Sequence, residues 1–575
     1  MKLHQDFVIR IFFAASALLV LAAGLIYWLY NLQVVRQGEF NTLAQQIYIK
    51  SLSHTGNRGT IRDHFGNLLA GNENCKDIYL EPKRVPGEEL PGVLIRLSES
   101  LDVDLELLQQ RVNSNKVEIV IKKYVDIDLT AQVLDMKLAD DEPVEGLRAL
   151  DSERRTYPKR SMLANIIGFT DHENHGAFGL EQVFDEKLQQ SSGKSHFIRA
   201  ENGTILERQG RDPRLLDGHD IYLTIEEPLQ DILQKELQNL RDEFNPTVAY
   251  AMLADPKTGR ILAIAQDPSF DPNKREEMNP DHWRNRMISD VLEPGSTMKP
   301  IAITGAIQAG LMDINTHFYC EKGIWWYGGR PLKDAGHHYE DLTVHEIIQK
   351  SSNIGTAKIA LAMGENRLYQ TLRRFGFGER VDLGLPHESR GIFRKVPQWD
   401  KLSITRFPIG QGIAVTPVQM LQAYCALAND GRMMKLQLVD RIIAPNGNVV
   451  QSFKPEMKQQ VSSPRVIQQV VNAMKTVTEE GGTARQARVQ NYNVAGKTGT
   501  SQKWINGSYE GHGKYISSFI GFVPAEDPAF VLLVVADEPK GKFYGGSVCG
   551  PTFSRIAEQS LRYLNIIPPE VAHKK

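Results

Sequence analysis

Cysteine is scarce in this chain: Cys75, Cys320, Cys425 and Cys549 are the four present, far apart and without CxxC spacing. Neither a thiolate zinc cluster nor a small disulfide scaffold is suggested, and the four do not fix a compartment. Net charge is nearly absent too. The 67 basic and 69 acidic residues sum to a formal charge of -2, which leaves no phosphate-tracking surface and no electrostatic case for nucleic acid. No internal repeat or low-complexity tract interrupts a composition that is globular in its hydrophobic, glycine and charged fractions.

A long apolar run near the amino terminus sets the compartment instead. Ile11 to Tyr30 reads IFFAASALLVLAAGLIYWLY, twenty residues without a charge, which at about 1.5 Å rise per residue matches a bilayer core of about 30 Å. Tyr27, Trp28 and Tyr30 gather at its far end, as interfacial aromatics do. Lys2 and Arg10 precede the run and only Arg36 follows closely, a bias that keeps the short end in the cytoplasm and puts the bulk outside. The alternative is a cleaved signal peptide with Ala22 and Gly24 at the cleavage point, but the run continues past them to spanning length.

At 575 residues the chain exceeds the roughly 100–250 residues of one domain, so at least two folded units are expected. RGTIRDHFGNLLAGN (Arg58–Asn72) reads as a hairpin turning at Phe65-Gly66-Asn67, and Leu101 to Val112 as an amphipathic helix. The polar run Arg208 to Arg214 and the pair Asp217-Gly218 are turn-prone. They precede a strand at Ile221–Ile225 and a helix with Leu229, Ile232, Leu233, Leu237 and Leu240 on its apolar face. A domain boundary is expected near residue 216. Beyond it, Val248–Leu253 and Ile261–Ala265 flank the turn Asp255–Gly259, helical patterns dominate from 296 to 430, and strands return at Val494–Ser501, Tyr515–Val523 and Phe530–Ala536. A closing helix carries Phe553, Ile556, Ala557, Ser560, Leu561 and Leu564. Strands at both ends with helices between predict an α+β domain whose antiparallel sheet joins early and late strands.

Three short motifs carry chemistry. Ser296-Thr297-Met298-Lys299 follows a reversal at Pro294-Gly295 and opens a helix, so hydroxyl and amine share a face. A serine needs a base to become a nucleophile, and a lysine kept neutral by burial or a nearby cation supplies one. Ser351-Ser352-Asn353 sits at the start of a helix, where a second hydroxyl can relay a proton and the Asn353 amide can hold a peptide; a plain helix N-cap is the bland reading. Lys497-Thr498-Gly499-Thr500 lies on an extended run, offering a cation, hydroxyls and an open backbone edge for a peptide and its terminal carboxylate. Pleating puts Lys497 and Gly499 on one face and Thr498 and Thr500 on the other. Two look-alikes are set aside: Ser191–Lys194 as a solvated segment, and Lys257-Thr258-Gly259 as turn chemistry.

The order SxxK, SxN, KTGT marks penicillin-binding proteins and class A β-lactamases. The chain resembles class B penicillin-binding proteins, the monofunctional peptidoglycan transpeptidases, over nearly its whole length. RGTIRDHFGNLLA, GAFGLEQVFDEKL (Gly176–Leu188), IGQGIAVTPVQM (Ile409–Met420), EGGTARQA (Glu480–Ala487) and FYGGSVCGP (Phe543–Pro551) add to the likeness. Through KSSNIGTAKIALAMG and a short C-terminus without added repeats it is most similar to the division-septum type. That resemblance implies a cytoplasmic tail at 1–10, an anchor at 11–30, an elongated α+β pedestal of the dimerisation type at 31–215, a penicillin-binding transpeptidase domain at 216–567 and a tail at 568–575. Its fold would be the β-lactamase-like antiparallel sheet flanked by helices. Ser296 would be acylated, Lys299 its base, and Ser351 and Asn353 would support proton transfer and substrate placement. Lys497, Thr498, Gly499 and Thr500 would bind the donor peptide, and the backbone N–H groups of Ser296 and Thr500 would form the oxyanion hole.

The implied reaction expels D-Ala from a D-Ala-D-Ala stem peptide and passes the acyl group to an amine, with no metal and no organic cofactor. Implied partners are stem peptides, β-lactam antibiotics, a membrane glycan polymerase and division proteins, on the outer side of a bacterial cytoplasmic membrane. An elongation-type enzyme, a β-lactamase and an acylation-triggered receptor or inactive scaffold are the competing readings. His64 departs from the arginine often found after the aspartate. His337-His338 lacks a spaced third ligand, Trp325-Trp326-Tyr327 reads as packing over the core in preference to lining a substrate groove, and Cys549 as a small buried residue.

Overall fold

The computed structural model describes residues 2–39, 49–114, 116–138, 140–189, 191–199, 205–209, 216–277, 279–505, 509 and 513–568. Two compact units emerge, 1–57 with 190–217, and 58–189 with 218–575.

The first unit opens on one helix, Lys2–Tyr30, so residues 2–10 continue the apolar segment as helix. Phe12, Leu19 and Trp28 are exposed along it. From Val8 onward this helix is predominantly apolar and exposed, and is long enough to cross a bilayer core. The same unit holds an antiparallel sheet of Ile49–Thr55, Ser192–Arg199 and Ile205–Gln209. Ser192–Lys194, expected as a solvated segment, run along the second of these strands. Arg208 and Gln209 end the third, while residues 210–214 of the expected turn lie outside the described residues, as do 569–575 of the expected tail.

In the second unit the hairpin at 58–72 forms as read. Ile61–Arg62 pairs with Leu68–Leu80, Gly66 adopts φ +95°, and the Asp63 carboxylate accepts from the Phe65 and Asn67 amides. Ile61–Arg62 also lies parallel to Asp220–Leu223, which pairs with Val439–Ile443. One core therefore holds Ile61, Leu69, Tyr157 and Leu180 together with Ile221, Leu229 and Leu233, while Ile78, Val93, Leu97, Leu108 and Ile121 form a separate one. Beneath the hairpin, Glu181 accepts from Arg58 Nη2 at 2.8 Å and Arg155 Nε at 2.7 Å, all three fully buried.

The helix expected over Leu101–Val112 is corrected. Leu90–Leu101 and Leu105–Asn113 are two helices, broken where Asp102 takes φ +49° and Asp104 caps the second through the Glu106 amide. Pro91 and Gly92, poor helix interiors, sit in the tolerant first turn of the first helix and hid it from a periodicity reading.

The expected α+β sheet is present. Its five antiparallel strands run in the order Ile261–Asp267, Val248–Ala254, Phe530–Asp537, Tyr515–Val523, Ala495–Gln502, so early and late strands are neighbours. Every residue of Val248–Ala254 is buried, because helices cover both faces and leave no polar alternation to read. Glu227–Phe244 and the closing helix Gly545–Tyr563 pack against the sheet and each other, with Leu229, Leu233, Leu237, Leu240, Phe553, Ile556 and Leu561 buried. Ala495–Gln502 is the edge strand.

Candidate active site

The Ser296 turn is built on Pro294 and Gly295. Gly295 takes φ +59° and donates its N–H to Gly410 O at 3.1 Å, and a single 3-10 turn, Gly295–Met298, then feeds the helix Lys299–Gln308. Pro300 falls in that helix's first turn, where its missing N–H has no intrahelical partner to lose. The turn is pinned on several sides. Thr297 Oγ1 donates to Pro294 O at 2.8 Å, Tyr424 Oη donates to Thr297 O at 2.8 Å, and Glu293 Oε1 accepts from Gly412 N and Tyr509 Oη. Ser296 itself is half-buried.

Lys299 is completely buried. Its Nζ donates to Ser351 O at 2.5 Å, Ser351 Oγ at 3.0 Å and Asn353 Oδ1 at 2.7 Å. Burial pulls its pKa from 10.5 down to about 7, against an opposing pull from the Asp334 carboxylate. Ser351 ends the helix Val344–Lys350 in the left-handed region at φ +60°, which turns its carbonyl and hydroxyl toward the lysine. The N-cap role belongs to its neighbour: Ser352 Oγ accepts from Gly355 N at 3.0 Å at the head of Asn353–Met363.

The third motif lies directly against the Ser296 turn. A Cβ at Gly499 would stand 3.0 Å from Pro294 O and 3.1 Å from Thr297 Cγ2, and one at Gly295 would stand 3.3 Å from Thr500 O. Lys497 is fully buried, and burial, then the charge of Lys299, holds it well below the ordinary lysine range. Its side chain bends along the strand so that Nζ reaches Thr498 Oγ1 at 3.2 Å, bridging faces that simple pleating separates. Thr498 Oγ1 shares a hydrogen bond with Thr483 Oγ1 at 3.0 Å, and Thr500 Oγ1 accepts from Gly545 N at 3.0 Å. Ser296, Lys299, Ser351, Asn353 and the 497–500 strand thus border one cleft. It joins a half-buried serine hydroxyl, a buried amine with a depressed pKa, a hydroxyl beside that amine and an edge strand with hydroxyl groups.

A family model for the penicillin binding protein transpeptidase domain matches residues 249–558, and one for the penicillin-binding protein dimerisation domain matches 53–223. The chain belongs to the penicillin-binding protein transpeptidase family. It is 32% identical to the probable peptidoglycan D,D-transpeptidase PenA of Neisseria meningitidis, over 97% of this chain and 93% of that protein. Against the peptidoglycan D,D-transpeptidase FtsI of Escherichia coli the figures are 31%, 95% and 90%. In fold it is similar to penicillin-binding protein 3 of Mycobacterium tuberculosis complexed with aztreonam, with a TM-score of 0.69 at 25% identity over 90% of this chain and 99% of that one. Penicillin-binding protein 2X of Streptococcus thermophilus gives 0.72 at 24% over 89% and 80%.

Several groups that shape this penicillin-binding protein's cleft escaped the sequence reading. Asp334 holds the SxN turn, Thr483 bonds Thr498, and Glu293, Tyr424 and Gly410 brace the serine turn. Thr483 and Gly410 lay inside segments already singled out, EGGTARQA and IGQGIAVTP, whereas Asp334 in a Gly-rich loop had no spacing to mark it. Of the aromatic trio, Trp325 and Tyr327 pack on the core with ring centroids 5.1 Å apart, while Trp326 is 68% exposed and corrects the packing reading at that position. His337 stacks on Tyr339, and Cys549 is buried with Sγ 3.3 Å from Ser517 O. His64, in the place often held by arginine, has Nδ1 2.6 Å from Arg260 Nη2 and 3.5 Å from Asp440.

Proposed function

We infer that this chain is a peptidoglycan D,D-transpeptidase that works through an acyl-Ser296 intermediate. The observation that carries the reading is Lys299, an amine buried three residues after the serine, held by Ser351 and Asn353 and depressed to about 7. Its neutral form accepts the Ser296 proton as Oγ attacks the carbonyl between the two D-Ala residues. The backbone N–H groups of Ser296 and Thr500 face the developing oxyanion. Collapse breaks the C–N bond and the departing D-Ala amine takes a proton relayed through the Ser351 hydroxyl; an acceptor amine then attacks the ester to form the cross-link, its proton passing to Lys299 and on to Ser296 Oγ as the C–O bond breaks. Asn353, Lys497, Thr498, Gly499 and Thr500 hold the donor peptide, with the lysine and the hydroxyls at its carboxylate. β-Lactams acylate the same serine.

Residues 31–215 serve as a non-catalytic pedestal and 216–567 as the transpeptidase domain. The apolar helix anchors both to the bacterial cytoplasmic membrane by a single pass, with the catalytic part outside. There the enzyme works in septal wall synthesis beside a membrane glycan polymerase and division proteins. The deciding experiment is intact-mass analysis after penicillin treatment, with peptide mapping. A long-lived adduct on Ser296 is expected; rapid turnover of the drug favours a β-lactamase, and an unlabelled serine refutes the mechanism. Depletion giving filaments supports the septal role, and round cells support elongation.

A further inference from the structure

The loop Lys333–Gly336 runs past the SxN turn, and its one carboxylate is buried there. Asp334 Oδ2 accepts from Ser352 Oγ at 2.8 Å, and Oδ1 accepts from the Asn353 amide at 2.5 Å and the Ile354 amide at 3.1 Å. The preceding carbonyl, Lys333 O, accepts from Asn353 Nδ2 at 2.8 Å. Loop and turn are therefore joined by four hydrogen bonds, and the turn in turn presents Ser351 O, Ser351 Oγ and Asn353 Oδ1 to Lys299.

We propose that Asp334 is a positioning residue of this cleft, whose carboxylate fixes the SxN turn around the Lys299 amine and supplies the buried negative charge that the paired lysines 299 and 497 otherwise lack. The proposal rests on the transpeptidase reading above. Its physical basis is simple. Two buried ammonium groups side by side repel, and a carboxylate bonded to the turn that holds one of them favours its protonated form. The groups that feel Asp334 are Lys299 from its own helix and Cys320 and Tyr339 from the flanking loops. Lys358 and Asp341 act on Cys320, and Lys497 meets Lys299 from the edge strand. Asp334 is the acid in this set that contacts the catalytic turn.

Removing the charge while keeping the shape separates its two effects. In Asp334→Asn the negative charge that favours the ammonium is gone, so Lys299 loses its proton more readily and the pH inflection of acylation moves down. A shift of at least about half a pH unit is expected, which at a pH below the inflection raises the rate, relative to its own plateau, about threefold. The full chain in detergent is assayed with fluorescent penicillin from pH 5 to 9, and the Lys299 Cε resonance is titrated in parallel after assignment against Lys299→Met. A lowered inflection in both readouts supports the proposal. A plateau that falls with neither inflection moving marks a merely structural carboxylate and overturns it. Asp334→Glu keeps the charge and carries the test if the amide variant does not fold. Because the longer side chain moves the carboxylate relative to Lys299, an inflection displaced in both readouts supports the proposal, and a native inflection overturns it. Absence of label on Ser296 in the native chain counts against the transpeptidase reading alone, and the lysine titration then still decides the role of Asp334.

Discussion

Gly499 has no room for a side chain, and the consequence of adding one can be worked out atom by atom. A Cβ there would lie 2.3 Å from Ser518 Oγ, 3.0 Å from Pro294 O and 3.1 Å from Thr297 Cγ2. The serine hydroxyl rotates away at little cost. The Pro294 carbonyl does not, because it belongs to the turn that carries Ser296 and accepts from Thr297 Oγ1. Gly499→Ala is therefore expected to push that turn from the edge strand by a few tenths of an ångström, an overpacking cost of about 1–3 kcal/mol. A displacement of about 1 Å at a reacting group costs about 100-fold, so a slowing of acylation of roughly 10-fold is expected for the smaller shift. Rapid-quench labelling with fluorescent penicillin measures the rate, and thermal unfolding the stability. Adding Ser518→Gly removes the 2.3 Å contact and leaves the carbonyl contact, so the double variant should remain slow. Native-like acylation by Gly499→Ala, within twofold and at an unchanged Tm, would show that the edge strand does not fix the position of the Ser296 turn.

With Lys299 near 7, native acylation should rise about 90-fold from pH 5 to 8 and then flatten, since the neutral fraction climbs from about 1% to about 90%; a further tenfold rise from pH 8 to 9 would reject Lys299 as the base. Glu181→Gln leaves Arg58 and Arg155 buried beside a neutral amide and should cost about 3–5 kcal/mol by denaturant unfolding, whereas Lys257→Ala, breaking an exposed pair with Asp527, should stay within about 1 kcal/mol. Ser352→Ala removes an N-cap and should lower stability by about 1 kcal/mol. Ser351→Ala removes a hydroxyl beside Lys299, so it should slow acylation at least about tenfold with Tm nearly unchanged; equal losses of Tm in the two variants would contradict this division of roles.

What could be read from the residues follows their range of interaction. Ser296 stands three residues before Lys299, in the turn that feeds its helix, Gly66 and Gly259 sit at turns that need positive φ, and Phe530–Ala536 is an unbroken apolar run; each is set by neighbours a few residues away. Asp334 was silent because its partners, Ser352 to Ile354, lie 18 to 20 residues downstream and form one helix start that any serine could cap. The helix pair at 90–113 was misread because Asp102 breaks it through a backbone conformation that leaves the apolar spacing intact. Lys497 bends toward Thr498, against the pleat, because a fully buried amine needs an oxygen partner and finds one on its neighbour.

The valence of Lys299 ties these observations to the chemistry. An ammonium has three N–H donors, and Nζ has three oxygens in reach, Ser351 O, Ser351 Oγ and Asn353 Oδ1. A neutral amine has two donors and a lone pair, so one of those contacts is lost or reversed when the proton leaves. Neither carbonyl oxygen can donate. The Ser351 hydroxyl can, so it is the contact able to switch from acceptor to donor as Lys299 changes charge, a property that the proposed proton relay requires. Ser351 keeps this position only because its backbone is held at φ +60°, a cost of order 1–3 kcal/mol for a non-glycine residue. That strain is offset by the hydrogen bonds that Asp334 and Lys333 make to the residues following it.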